Sequence, residues 1–443
     1  MAVLRFPDGF LWGTATASYQ IEGSPLADGA GPSIWHTFSH VPGNITGGDT
    51  GDTACDHYHR WQQDIALQRA LGLKAYRFSI AWPRVLPSGA GKSNGAGIAF
   101  YDRLVDGLLE AGIVPMATLY HWDLPQALED AGGWPEPQTA ERFADYAEIM
   151  FNALGDRVPH WITFNEPWVF LWLGYGIGIH APGRNDIPAA LAGGHTVLRA
   201  HGLAVERFRS LAPKGQIGIT LSVQAHLPES DDPADRAAAD RARAFNNEWF
   251  TDPIVRGDYP PALREQFGSM LPEMHEADRA VIAQKIDFLG VNYYTRTVSG
   301  HDAGGFFQAR TCRPVGDYTS MGSEIYPAGL YVVLKQFHER YGLPLYVTEN
   351  GAGYENEVPG ADGIVHDDRR MRYLQSHLEM CHRAISEGVD LRGYMAWSLL
   401  DNFEWAFGYG MRFGIVRCDF DSLERTPKLS ARWYARVIEE NGI

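Results

Sequence analysis

Cysteine is scarce in this sequence. There are four, Cys55, Cys312, Cys381 and Cys418, widely scattered, and no CxxC pair. Neither a zinc cluster nor a disulfide framework is indicated. Positive charge is also in short supply: 38 Lys and Arg stand against 54 Asp and Glu, a formal net charge of -16. That balance disfavours nucleic acid and anionic membranes as partners and suits a neutral or cationic ligand. No window approaches the roughly 20 apolar residues of a membrane-spanning helix. The opening MAVLRFPDGFLWGT lacks a long apolar core behind a basic start, so it does not read as a secretory signal. A reduced, cytoplasmic protein is expected. No Pro-, Gly- and Ser-rich linker, low-complexity tract or exact repeat divides the chain, and one domain spanning 1–443 is expected.

What the chain has in quantity is aromatic residues, 12% of the total, including 13 Trp. Trp packs cores, and it also offers a flat apolar face to the C–H side of a sugar ring. Short β-rich runs alternate with amphipathic stretches. The runs cover 10–16, 75–80, 113–120, 160–164, 216–222, 286–294, 343–348 and 391–397. They are apolar nearly throughout, as strands covered on both faces are. Between them, 56–71, 139–154 and 367–387 carry apolar stripes at helical spacing, each followed by a glycine. Thr139 is placed to cap the second of these. Eight such runs in an uninterrupted alternation predict a closed (β/α)8 TIM barrel with its active site at the C-terminal ends of the strands. An open doubly wound sheet is the runner-up, but no glycine-rich phosphate loop follows the first run.

The strand ends carry the chemistry. The fourth run stops at Asn165-Glu166-Pro167 and the seventh at Thr348-Glu349-Asn350. One such glutamate could simply border a turn. Two on non-adjacent strands of one barrel face one mouth, which points to a catalytic pair. Carboxylates across a sugar-sized gap are the equipment of a glycosidase, and sequence gives no distance to choose between retention and inversion. Pro167 biases Glu166 toward extended backbone. Arg77 is a cation inside an apolar strand, and such an Arg needs a partner. Beside Glu349 it would hold that carboxylate ionised, as a nucleophile requires, while the nearby negative charge raises the pKa of Glu166 and keeps it protonated. Asn165 could donate to a sugar hydroxyl. Gln20 and Glu22 follow the first strand, His121 and Trp122 the third, Asn292 and Tyr294 the sixth and Trp397 the eighth, with Glu404 and Trp405 just downstream. These supply polar partners for vicinal hydroxyls and a flat platform.

Taken in order, FLWGTATASYQIEG, YRFSIAWPRVLP, TLYHWDLP, TFNEP, YVTENG and WSLLDNFEW resemble the glycoside hydrolase family 1 β-glucosidases, nearly from end to end. The resemblance implies a retaining mechanism, with Glu166 as acid/base, Glu349 as nucleophile, and Arg77 and Tyr294 supporting Glu349. It also implies that Gln20, His121, Asn165, Glu166, Asn292, Trp397, Glu404 and Trp405 hold the non-reducing sugar. The intact Glu404-Trp405 pair implies unphosphorylated glycosides. Ser323 departs from the family pattern, where a Trp commonly walls the leaving-group side, so the aglycone preference is left open. The connection from about 299 to 328 shapes that entrance and is the least regular part of the chain.

The expected activity is hydrolysis of terminal β-glucosides and cello-oligosaccharides, with no metal or other cofactor. A β-galactosidase or β-fucosidase preference is the alternative within the family, and a catalytically silent sugar-binding barrel the alternative outside it. His57 and His59 form an HxH pair without a third ligand block, and a structural role is expected for them; His195 and His201 fall in a helical stretch and are expected to face packing or solvent. The Ala- and charge-rich stretch 229–244 reads as a surface turn and helix, and Trp161 as core.

Overall fold

The structure is a computed structural model that describes residues 3–211, 214–355 and 357–443. Among these residues nine strands share the main sheet: β1 (Leu11–Ala15), β2 (Ala75–Ser79), β3 (Val114–Tyr120), β4 (His160–Asn165), β5 (Gln216–Pro228), β6 (Phe288–His301), β7 (Ala309–Cys312), β8 (Leu345–Asn350) and β9 (Leu391–Trp397). Their order is β5-β4-β3-β2-β1-β9-β8-β6, with β7 beyond β6, and β5 also pairs with β6. That pairing closes a ring of eight parallel strands, with β7 antiparallel at its margin. The barrel stands and the open sheet is excluded.

The apolar runs became strands because both of their faces are covered, by packed side chains inside the ring and by helices outside it. All five residues of β2 are buried, and so is Trp161 on β4. The predicted stripes face inward. In the helix Gln138–Leu154, residues Phe143, Ala147, Met150, Phe151 and Leu154 are all buried. The helices His57–Ala70 and Asp368–Ser386 end before Gly72 and Gly388, whose φ angles of 73° and 93° lie where side chains are strained.

Three expectations are corrected. Thr139 does not cap its helix; it lies inside the first turn, and its hydroxyl donates to Gly133 O. Pro137 takes the cap position instead. Strands β5 and β6 run well past the predicted ends at 222 and 294, because above the ring they pair with each other and, for β6, with β7. The connection 299–328 is therefore partly regular. The third correction, at Glu166, belongs to the site itself.

His57 and His201 are packed in the interior, while His59 is exposed and pairs with Asp56. His57 Nδ1 meets the buried Asp64 at 2.7 Å, and His201 shares a hydrogen bond with Thr163. The stretch 229–244 contains the surface helix Pro233–Arg243, which turns Ala238 and Ala239 inward.

Candidate active site

Every residue singled out for the site except Glu22 comes together at one end of the barrel, where the strands finish. Arg77 projects from β2, Asn165 ends β4 and Glu166 follows it, Asn292 and Tyr294 lie in β6, Glu349 is next to last in β8 and Trp397 ends β9. Register shifts interrupt the ladders between Ile162 and Asn165, between Val291 and Asn292, and between Val347 and Asn350. Such irregularities re-aim side chains beside active sites.

Around Glu349 the partners are two. Arg77 Nη1 donates to its Oε1 at 2.6 Å, and the Tyr294 hydroxyl donates to its Oε2 at 2.7 Å. Arg77 is itself fully held: Nη2 donates to Asn165 Oδ1 at 2.7 Å, Nη1 also to Thr348 O, and Nε to Thr118 Oγ1. Glu166 has a weaker partner. Asn292 Nδ2 reaches its Oε1 at 3.0 Å while also donating to Asn165 Oδ1 at 2.9 Å. Both glutamates are buried.

Burial pushes Glu166 up to about 8, with Glu349 the next cause and Asn292 opposing. Desolvation outweighs the neighbouring charge expected from the sequence, because this carboxyl has left water without acquiring a cation of its own. Burial also raises Glu349, opposed first by Arg77 and then by Tyr294. Their partners divide the pair: Glu349 is the one to ionise, Glu166 the one to keep its proton.

Glu166 does not adopt the extended backbone expected before a proline. Its φ is 51°. Its N–H continues the β4 ladder by donating to Thr220 O, while its carbonyl accepts from Val169 N at the start of the next helical segment. Meeting both bonds in one residue forces a sharp turn, and the tertiary contacts override the local preference. Trp122 and Trp405, also in the pocket, have φ angles of 77° and 49°. Such conformations cost about 1–3 kcal/mol each and persist where surrounding structure fixes them.

The rest of the cavity wall is aromatic and polar. His121 lies nearly parallel to Trp397 and Trp405, with ring centroids 5.8 and 6.1 Å away. Trp122 packs on Trp405 at 4.5 Å and donates its indole N–H to Asn165 O. Asn165 Oδ1 accepts two bonds, so its Nδ2 donates to His121 Nε2 at 2.9 Å. That fixes the proton of neutral His121 on Nδ1, a buried donor without a protein partner. Gln20 Nε2 is shared among Asn402 Oδ1, Phe403 O and Glu404 Oε2, which leaves Gln20 Oε1 a buried acceptor without a partner. Burial and then Glu349 raise Glu404 to about 8. These orphaned groups are what a sugar's hydroxyls would satisfy. Glu22, by contrast, is consumed elsewhere, by Arg84 and Tyr101.

The site is an open cavity of about 220 Å³ lined by both glutamates, His121, Trp122, Tyr294, Trp397, Glu404 and Trp405. Ser323 is on its wall, as expected, together with Gln224, Thr295, Thr319, Met321 and Phe413, which sequence reasoning missed. Gln224 and Thr295 lie just past the strand ends read from sequence; extending β5 and β6 by two residues would have found them. Thr319 and Met321 had no such signal.

Three comparisons bear on this geometry. The profile of Glycosyl hydrolase family 1 matches residues 3–443. The chain is 50% identical to β-glucosidase A of Thermotoga maritima over 445 residues, covering 100% of each. It is 46% identical to a bifunctional β-D-glucosidase/β-D-fucosidase of Bifidobacterium breve, covering 98% of each. A solved structure of a family 1 β-glucosidase from Thermotoga maritima superposes with a TM-score of 0.98 at 50% identity, covering 100% of both chains. The chain belongs to glycosyl hydrolase family 1.

Proposed function

We propose that this chain is a retaining, exo-acting β-glucosidase whose catalytic residues are Glu349 and Glu166, carried on one barrel domain spanning 1–443. The observation that carries the assignment is the unequal environment of two buried carboxylates in one cavity. Glu349, gripped by Arg77 and Tyr294, attacks the anomeric carbon as a carboxylate. Glu166, with a pKa near 8, is protonated at neutral pH and gives its proton to the departing oxygen. The ester formed at Glu349 has lost its charge, so the pKa of Glu166 falls. Glu166 then takes a proton from water, which attacks the same carbon from the face the leaving group vacated. Two inversions leave the β configuration intact. Each step uses the chain's own side chains.

His121, Gln20, Glu404, Asn165 and Asn292 serve the hydroxyls of the non-reducing sugar, and Trp397, Trp405 and Trp122 its apolar face. The ionised Glu349 repels a phosphate group, and Arg77, the cation beside it, is already engaged by Glu349, Asn165, Thr348 and Thr118, which supports unphosphorylated glucosides and cello-oligosaccharides of the kind released from cellulose. Four free thiols, three of them buried, support a reducing cytoplasmic setting. No helix among the described residues is long and apolar enough to cross a membrane.

Incubation with a 2-deoxy-2-fluoro-β-glucoside should add one glycosyl mass, on the peptide containing Glu349. Label on another residue overturns the assignment, and no label favours a binding barrel. The Bifidobacterium breve relative, described as acting on both glucosides and fucosides, supports a second reading in which fucosides or galactosides are also accepted. Rates on a panel of aryl glycosides separate the two.

A further inference from the structure

The loop after β1 carries a cluster that the hydrolytic reaction does not use. The short helix Ile34–Ser39 presents His36, and its capping residue His40 follows four positions later, on the same face. Their ring centroids are 4.4 Å apart. Asp52 reaches both from the next turn of the loop, with Oδ1 3.4 Å from His36 Nδ1 and Oδ2 3.0 Å from His40 Nε2. One nitrogen from each His and one oxygen from Asp52 all lie within 4.8 Å of one another. A tetrahedral ion with bonds of about 2.0–2.1 Å has ligand–ligand edges of about 3.3 Å. The two short separations run to different Asp52 oxygens, so an ion held by one of them would draw together three ligand atoms that already lie within 4.8 Å of one another.

The hydrogen bonds define the state of the two rings. His40 Nδ1 is 2.6 Å from the His36 carbonyl oxygen, a contact that requires the proton on Nδ1. In the neutral ring, Nε2 then offers its lone pair toward Asp52. A second ring nitrogen anchored on a backbone carbonyl is the arrangement that orients metal-binding histidines. His36 Nδ1 is buried and has no hydrogen-bond partner. A plain ion pair between protonated His40 and Asp52 accounts for one side of the cluster. It leaves His36 Nδ1 with a 3.4 Å approach to Asp52 Oδ1 and no hydrogen bond.

We propose that His36, His40 and Asp52 form a binding site for a divalent transition metal of the zinc type, with three protein ligands and a fourth position open to solvent. Imidazole with one carboxylate suits zinc, nickel or copper over calcium or magnesium, which prefer oxygen alone. The site has a structural consequence. Ser39 and Gly51, next in sequence to two of the ligands, both hydrogen-bond the Tyr19 hydroxyl. Tyr19 lies nearly parallel to Trp405. A metal ion would thus tie together the two stretches of loop that hold Tyr19 behind the sugar platform.

Co²⁺ is the probe, because a four-coordinate Co²⁺ ion absorbs visible light far more strongly than the hexahydrated one. Titrating the intact enzyme should develop an intense visible band that saturates at one equivalent and bleaches when Zn²⁺ is added. The band should be lost in His36→Ala and in Asp52→Asn, while metal-free glycosidase activity stays unchanged in both. If either variant fails to fold by circular dichroism, His40→Gln takes its place. A wild-type enzyme without the band, or a band that survives in a folded variant, overturns the proposal.

Discussion

The floor of the cavity and its entrance are built by opposite means. On the floor, Arg77, Asn165, Asn292, Thr348, Tyr294 and the two glutamates share one hydrogen-bond net anchored on barrel strands. Moving one member disturbs the others. At the entrance, Gln224 and Thr295 come from strand extensions above the ring, and Thr319, Met321 and Ser323 from the following connection. Thr319 Oγ1 has no partner at all. A reacting carbon must be held within a fraction of an ångström of its nucleophile, so the floor is over-determined. A leaving group need only be accommodated, and loops can do that. Variants on the floor should therefore change rate, and variants at the entrance should change choice of substrate.

The largest effect is expected at Glu349. Glu349→Gly should lower kcat by at least about 10,000-fold, since the proposed mechanism has no other nucleophile. Azide should enter the space left and restore turnover, with an α-glycosyl azide as product, identified by NMR. Glu166→Ala comes next, with a loss of about 100- to 10,000-fold on substrates whose leaving groups need a proton. Aryl glycosides with acidic leaving groups should suffer far less in the first step, and azide should restore their turnover with the β configuration retained. The opposite stereochemistry in the two variants would exchange the roles.

A smaller effect tests the electrostatics of the floor. The required form of Glu166 is protonated, so kcat/KM should fall as pH rises through about 8. In the fluoroglucosyl enzyme the negative charge of Glu349 is gone. The Glu166 pKa should then drop, followed by NMR titration of carboxyl-labelled glutamate. Burial, the larger cause, remains, so it should stay above the ordinary carboxylate value. An unchanged pKa would mean that the two groups do not sense each other.

The same contrast explains what the sequence disclosed. Floor residues were legible because each sits at the end of an apolar run, where period and burial mark the strand and a polar residue breaks the pattern. Arg77 within YRFS and Glu349 after YVT are such breaks. The φ of 51° at Glu166 was not legible, because a local proline rule cannot anticipate a bond to Thr220 from another strand. Nor were Thr319 and Met321, whose position depends on how the connection after β7 folds back over the barrel. His36, His40 and Asp52 also escaped notice, since only the turn of the loop brings Asp52 to the pair. Patterns report burial and period; they do not report which loop atoms meet.

The smallest and most discriminating prediction lies at Ser323. It is on the cavity wall at the entrance, and its backbone carbonyl accepts from Thr319 N, so the side chain can change without breaking that turn. Ser323→Trp would place a flat apolar face beside the leaving group. Aryl glucosides and cellobiose should then bind more tightly by a few-fold, about 1 kcal/mol for a partly exposed stacking contact. The rate of hydrolysis of the covalent glucosyl enzyme should not change, because the leaving group has already departed. Pre-steady-state kinetics with 2,4-dinitrophenyl glucoside separates the two steps. An altered deglycosylation rate would show that the entrance reaches into the floor after all, and the division between them would not hold.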